Sequence, residues 1–331
     1  MNNAFIWTDL STFDVQTAKQ FYRDCFGWRY NNIGQGYSLC SVGQQPAAGL
    51  YRMPDFFQKI NMPSFWMSYI QVANIDEIVQ KAEQLGAKIE VQPEEAPSGG
   101  KVALIRDPAG AGFTCYQGEE MGGRDDGLNL GRMVWNELHI SDLSTIEAFY
   151  SELFSWKINQ TKHPDRYEIY SAGQSIAGIQ VSPNEIKGDK EYWGVYFSVD
   201  SLSKAQARIE HAGGQVAVEQ PLGDRPALLA YDSQGAAFYI IEASNNVSTE
   251  HKQSGSPFKW RAILGLLLVI TAVFLEADWV WGLLFLLWVI PDIRSGVTYF
   301  FEPIERYRHP ILYWLIIGTW IVLSVWTLWP S

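Results

Sequence analysis

A chain of 331 residues has room for two ordinary domains and an appendage. Its 36 Asp and Glu outnumber 25 Lys and Arg, giving a formal net charge of −11; so acidic a protein lacks the basic face that non-specific nucleic-acid binding requires, and no nucleic-acid partner is expected. The three cysteines, Cys25, Cys40 and Cys115, form neither CxxC pairs nor a disulfide framework, so a reducing compartment is the simpler setting.

The N-terminus, MNNAFIWTDL, has no basic stretch followed by an apolar one, and no signal peptide is expected. Residues 5–11 alternate like a strand. Asp14 is placed as a helix N-cap, with Ala18, Phe21, Tyr22 and Phe26 following at helical spacing. Extended segments over 37–42 and 46–52 flank a turn at Gly43-Gln44. The order then recurs, with a strand over 66–72, a helix over 75–86 and strands over 101–106 and 112–116. This is a βαβββ module used twice.

The whole arrangement repeats once more along the chain. FIWTDLSTFDVQTAKQFYRDCFGW, from Phe5, aligns with MVWNELHISDLSTIEAFYSELFSW, from Met133, at an offset of 128. Ala47–Leu50 (AAGL) matches Ile176–Ile179 (IAGI), YIQV at Tyr69 matches YFSV at Tyr196, and DPAGAGF at Asp107 matches DSQGAAF at Asp232. Residues 1–121 and 131–244 are therefore two copies of one domain, of the α+β class, and each copy is expected to close its own core. The pairs Phe21-Tyr22 and Phe149-Tyr150 are assigned to that core. No P-loop, GxGxxG element or Ser/His/Asp set is present.

A first strand, an Asp, a helix bearing FY…FGW and a late DPxG turn together resemble the vicinal oxygen chelate superfamily: glyoxalase I, bleomycin-resistance proteins and extradiol dioxygenases. The resemblance covers residues 4–118 and 132–243. It implies paired βαβββ modules forming an open, curved sheet whose concave face holds a small-molecule site. In the metal-dependent members it further implies a divalent ion held by first-strand and last-strand ligands. By the family's spacing those positions fall on Trp7 and Trp135, near Met67 and Gly194, on Thr114 and Tyr239, and in the AAGL and IAGI strands. None is His, Asp or Glu, so no metal site and no cofactor are expected.

Strand residues two apart share a face. If Trp7 and Trp135 point inward, Asp9, Glu137 and His139 do so too, and Tyr69, Gln71, Tyr196 and Ser198 complete two aromatic, modestly polar pockets. Two readings of Glu137 and His139 stand side by side. They form an acid/base pair or part of an unconventional metal site, or else Glu137 bonds backbone near the domain seam and His139 packs beside it. Asp9 is a third catalytic candidate, against a structural hydrogen-bonding role.

Residues 245–258 read as a flexible linker rich in Ser, Asn, Gln and Gly. Three apolar blocks follow, Ile263–Leu275, Trp279–Ile290 and Ile311–Trp329, and residues 259–331 are expected to form an all-α segment of about three transmembrane helices. Glu276 and Asp278 belong at a turn, because burying the Asp in one long span costs about 2.5–3.5 kcal/mol. Phe258–Trp260 and 292–301 would extend the first two spans. A re-entrant or interfacial hairpin beside a single span is the alternative. Lys252, Lys259 and Arg261 precede the first block, and Arg294, Arg306 and Arg308 precede the third, which places the head in the cytoplasm of a multi-pass cell-membrane protein. The expected function is a membrane-anchored, glyoxalase-like binder of a small hydrophobic molecule. The alternatives are a lyase, isomerase or oxygenase of the same superfamily, or a membrane-associated scaffold.

Overall fold

The computed structural model describes residues 3–243 except 60–61, 98, 120–121 and 123–128, and in the tail 281, 285, 289, 297–300, 302–305 and 310–328. It divides into two compact units, Met1–Asn245 and Asn246–Ser331.

The first copy is one eight-stranded sheet built from β1 (Phe5–Thr12), β2 (Arg29–Gly34), β3 (Tyr37–Val42), β4 (Gln45–Arg52), β5 (Phe65–Gln71), β6 (Lys88–Glu95), β7 (Lys101–Arg106) and β8 (Gly112–Gln117). The strands lie in the order β2-β3-β4-β1-β5-β8-β7-β6. In each module the first strand runs parallel to the last, β1 with β4 and β5 with β8, as a crossover helix requires. Antiparallel pairing of β1 with β5 joins the modules. The second copy repeats this order with β9 (Met133–Ile140), β10 (Lys157–Gln160), β11 (Arg166–Ser171), β12 (Gln174–Val181), β13 (Tyr192–Val199), β14 (Gln215–Glu219), β15 (Ala227–Tyr231) and β16 (Ala237–Glu242). The polar edge strands β2 and β6 carry no clean apolar alternation, which is why their bounds were not readable in the sequence.

The crossover helices of the first copy are α1 (Val15–Phe26) and α3 (Ile75–Gln84), with a short α2 (Asp55–Lys59) between the modules. Asp14 caps α1 by accepting from the backbone N–H of Gln16 and Thr17, as expected of it. The second copy has α4 (Glu147–Phe154), α5 (Asn184–Lys187) and α6 (Leu202–His211) in the equivalent places. There Asp142 caps a single 3₁₀ turn, Leu143–Thr145, before α4 begins.

The copies do not close separate cores; one apolar cluster runs through both. Tyr22 of α1 packs 5.8 Å from Phe238 on β16, and Trp66 of β5 lies 5.0 Å from Phe197 on β13. Reciprocally, Phe113 of β8 sits 5.9 Å from Tyr150 of α4, and Phe5 of β1 sits 4.7 Å from Trp193. Tyr22 donates to the turn carboxylate Asp232 of the other copy (3.0 Å), and Tyr150 donates to Asp107 (2.8 Å). Trp66 and Trp193 each donate to the tyrosine of their own copy, at 3.1 and 3.0 Å. The FY motif and the DPxG turn are thus two halves of one bond made across the seam.

In the tail, the expectation that 292–301 extends a helical span is corrected. Val297–Phe300 and Glu302–Glu305 pair as an antiparallel hairpin, β17 and β18, with Val297 opposite Glu305. The run Val-Thr-Tyr-Phe has the β-branched and aromatic composition that favours a strand. The last helix, α7 (Pro310–Leu328), has 19 residues and no charged side chain. Its side chains are described over 311–327, and among the described residues no helix is long and apolar enough to cross a membrane. Within this unit Phe285 stacks on Trp320 at 5.3 Å, and Val289 packs against Tyr313 and Ile317. The linker 245–258 and the block 263–275 lie outside the described residues, as does 279–290 apart from 281, 285 and 289.

A shared core makes the two copies one folding unit. Residues 1–245 should stay soluble and lose near-UV circular dichroism and tryptophan fluorescence in a single coincident urea transition. Tyr22→Phe or Tyr150→Phe should each cost about 1–3 kcal/mol by leaving a buried carboxylate short of a donor. Residues 1–121 alone, with the seam uncovered, should associate in sedimentation velocity. Two separate transitions, or a monodisperse single copy, would contradict the shared core.

Candidate functional site

The first sheet holds a cleft of about 240 Å³ whose polar floor is Asp9. Alternation along β1 puts Trp7 and Asp9 on one face, and pairing sets Trp7 opposite Tyr69 and Asp9 opposite Met67. Asp9 Oδ1 accepts from Trp7 Nε1 (2.7 Å) and Tyr37 Oη (2.6 Å), and Oδ2 accepts from Tyr69 Oη (2.7 Å). All three donors are neutral. Burial pushes the Asp9 carboxyl up to about 6, against the downward pull of Tyr37, Tyr69 and Trp7. Tyr51, Phe57, Phe65 and Leu104 supply much of the apolar wall. The cluster depends on Gly49, because a Cβ there would lie 1.9 Å from Tyr37 Oη and 2.0 Å from Asp9 Oδ1.

The second sheet carries the equivalent cleft, about 460 Å³, with Glu137 at the place of Asp9. Glu137 pairs across the ladder with Gly194 and Gly178, as Asp9 pairs with Met67 and Gly49. The donors differ. On β3, Leu39 faces Gly49 and Tyr37 faces Tyr51; on β11, Glu168 faces Gly178 and Arg166 faces Gln180. Arg166 therefore stands where Tyr37 does, and its Nη1 lies 2.6 Å from Glu137 Oε1. Tyr196, the counterpart of Tyr69, donates to Oε2 at 2.7 Å. Burial pushes the Glu137 carboxyl up, while Arg166 and Tyr196 oppose it. The mouth is polar: Lys162 and His163 from one loop both pair with Asp224 from another.

The nine residues assigned to the pockets divide accordingly. Asp9 and Tyr69 line the first cleft, with Trp7 behind Asp9. Trp135 and Glu137 line the second, and Tyr196 reaches Glu137 from within the core. Three assignments are corrected. Gln71 lies outside the lining of the first cleft and donates to Gly118 O at 3.3 Å. Ser198 faces the seam and donates to Asn129 O at 2.9 Å. His139 is fully buried between the rings of Tyr192 and Tyr239, at 4.8 and 5.2 Å, outside the cleft lining. Its Nε2 lies 3.7 Å from Glu137 Oε2, so the two are neighbours. Burial, reinforced by the charges of Arg166 and Lys187, lowers His139 to about 3, which favours the neutral ring. Glu137 bonds Arg166 and Tyr196, not the backbone. Sequence reasoning missed Tyr37 and Arg166. Their signal was indirect: each lies one face-step from a residue opposite a glycine that leaves room for the acid.

The residues do not fit the superfamily's divalent ion. The residue beside Trp7 and Thr114 in the ladder is Tyr69, two residues on from the expected Met67. In the second copy Trp135 adjoins Tyr196, and Tyr196 adjoins Tyr239. Indole and phenol are poor ligands for a hard or borderline cation. Among the described residues no three His, Cys, Asp or Glu side chains cluster.

Comparison with known proteins agrees with the fold. Residues 4–114 match the family model of the Glyoxalase/Bleomycin resistance protein/Dioxygenase superfamily. "Putative glyoxylase CFP32" of Mycobacterium tuberculosis is 30% identical over 246 residues, covering 71% of this chain and 93% of that protein. "Anthracycline biosynthesis protein DauV" of Streptomyces sp. strain C5 is 25% identical over 268 residues, covering 71% and 92%. The Mn(II)-bound glyoxalase of Novosphingobium aromaticivorans superposes with a TM-score of 0.53 at 14% identity, over 73% of this chain and 82% of that one. The 2,3-dioxygenase LapB of Pseudomonas sp. KL28 gives 0.51 at 10%, over 73% and 93%.

Asp9 makes stability depend on pH with a definite sign. Below about pH 4 the carboxyl is protonated in the folded and unfolded chain alike, and its contribution is fully present. As pH rises the unfolded carboxyl ionises first, and the contribution is lost through the folded value of about 6. In urea denaturation, the stability of Asp9→Asn relative to the parent should therefore rise by about 2 kcal/mol between pH 4 and pH 7. A flat difference would show that Asp9 ionises as freely in the folded protein as in the unfolded one.

Proposed function

Because the chain belongs to the Glyoxalase/Bleomycin resistance protein/Dioxygenase superfamily, we propose that residues 1–245 form a small-molecule-binding head and that its ligand occupies the first cleft. The observation that carries this is the Asp9 cluster. A buried carboxyl with three oriented neutral donors stands at the floor of an aromatic cleft that opens to solvent, the usual build of a small-molecule site. The ligand is small and mainly apolar, and the site works without the superfamily's metal set. The name of one relative links that protein to anthracycline biosynthesis, which supports an aromatic ligand here. Proton transfer, as in a lyase or isomerase, is the second reading, favoured by the burial that raises the Asp9 carboxyl to about 6, toward the range where an acid/base group works best.

Native mass spectrometry of the purified full chain tests the binding reading. A small organic molecule should co-purify and should be lost in Gly49→Ala, whose methyl group displaces Asp9 and Tyr37, but kept in Gly178→Ala, where the nearest atoms are 3.1 Å away. Retention in Gly49→Ala would move the ligand elsewhere.

The tail is the membrane attachment in this reading, with the head in the cytoplasm. Support comes from the uncharged block Ile311–Trp329 and from the Lys and Arg before the first and third blocks. A reporter active only outside the cytoplasm should work when fused after Ser331. If only a cytoplasmic reporter works there, the number of crossings is even and the hairpin over 263–290 does not make two of three spans.

A further inference from the structure

The first cleft also specifies the charge of its ligand. Its charged lining residues are acids only: Asp9 on the floor and Glu94 at the exposed rim, with no Lys or Arg among the described residues that line it. Its walls are rings. Tyr51 stacks on Tyr37 at 6.2 Å, and Phe57 meets Phe65 edge to face at 6.1 Å. Both Tyr37 and Tyr69 spend their hydroxyl hydrogens on Asp9, and Tyr37 Oη also accepts from Trp7 Nε1 (3.1 Å), so what remains for anything else that enters is lone-pair capacity, chiefly on Tyr69. A carboxylate, accepting phenol oxygens and ring faces together repel an anion and favour a cation. The equivalent cleft of the second copy is built differently, since Arg166 already neutralises Glu137 there and Lys162, His163 and Arg225 line the approach.

We propose that the first cleft is a site for an organic cation, a protonated amine on an aromatic or otherwise apolar body, with the ammonium group beside Asp9. This rests on the reading that the first cleft is the ligand site, and it adds the charge of the ligand. No bond is made or broken. The amine donates hydrogen bonds toward Asp9 and the phenol oxygens, and the rings take its hydrophobic part and the remaining charge.

The test uses the full chain in lipid nanodiscs, with equilibrium dialysis of two isosteric probes, naphthylethylamine and naphthylethanol. Protein-free nanodiscs correct for partition into lipid. At pH 8 and low salt the amine should bind at least about tenfold more tightly than the alcohol, as expected for a desolvated ion contact with ring faces. Asp9→Asn should abolish the preference, bringing the amine to the level of the alcohol measured in the same variant. Glu94→Gln, at the exposed rim, should weaken the amine about two- to threefold by loss of screened attraction. The parent ratio stands whether or not Asp9→Asn folds. Equal binding of both probes would overturn the cation site while sustaining a small-molecule cleft. A preference for the amine that survives both substitutions would also overturn it, because the charge would be read elsewhere. Binding of neither probe would count against this inference and against the cleft as the ligand site.

Discussion

The structure of the head hangs on two crossed bonds, Tyr22 to Asp232 and Tyr150 to Asp107. Each aspartate also accepts backbone N–H groups of its own turn through Oδ1: Ala109, Gly110 and Ala111 for Asp107, and Gln234 and Ala236 for Asp232. One buried carboxylate thereby ties the shape of a turn to the position of a helix in the other copy. Trp28 and Trp156 tighten the same seam, donating to Gly131 O and Asn3 O where the opposite copy begins its first strand. Because β1 and β9 carry the site acids, the seam that anchors their starts also sets where Asp9 and Glu137 stand.

Two frames held so alike have been filled differently. The acids occupy matching ladder positions beside Gly49 and Gly178, and Tyr69 and Tyr196 reach them in the same way. The difference lies in the strand beyond, where Tyr37 gives way to Arg166. A phenol satisfies a carboxylate without charge, so the first acid keeps its proton to unusually high pH. A guanidinium satisfies it with charge, so the second acid is an ion-pair partner walled in by the loops at 161–163 and 222–225. Loss of either donor would leave a buried acid underbonded, at a cost of about 1–3 kcal/mol or more.

The fold was legible because duplication doubles every signal. Strand β1, the Asp14 cap, the helix faces and the late turn each occur twice at nearly constant offset, and a chance pattern would not. What stayed hidden was pairing. Nothing in FY or DPxG says that one binds the other across copies, so the copies looked self-contained. Alternation put Asp9, Tyr69, Trp135 and Glu137 on the faces where they line the two clefts, since it needs only the strand itself. It failed at Gln71 and Ser198, which sit near the ends of β5 and β13, where their side chains bond carbonyls of Gly118 and Asn129 outside the clefts. It failed at His139 because sharing a face with Glu137 does not mean reaching the same opening; Tyr192 and Tyr239 close over the ring.

The exchange of ligands for aromatics explains why an acid persists in a cleft with no metal set. On β1 the position that the family's spacing assigns to a ligand is Trp7, and its indole N–H points at the carboxyl two residues on. Tyr37 and Tyr69 add two more donors from the neighbouring strands. Together they supply the hydrogen bonds that a bound cation would otherwise make unnecessary, without supplying its charge. Such a carboxyl is geometrically satisfied and electrostatically incomplete: burial raises the cost of ionising it, and only an incoming positive charge or a proton removes that cost. The Glu137 cleft shows the alternative solution, in which Arg166 brings the charge permanently and the acid no longer needs a guest.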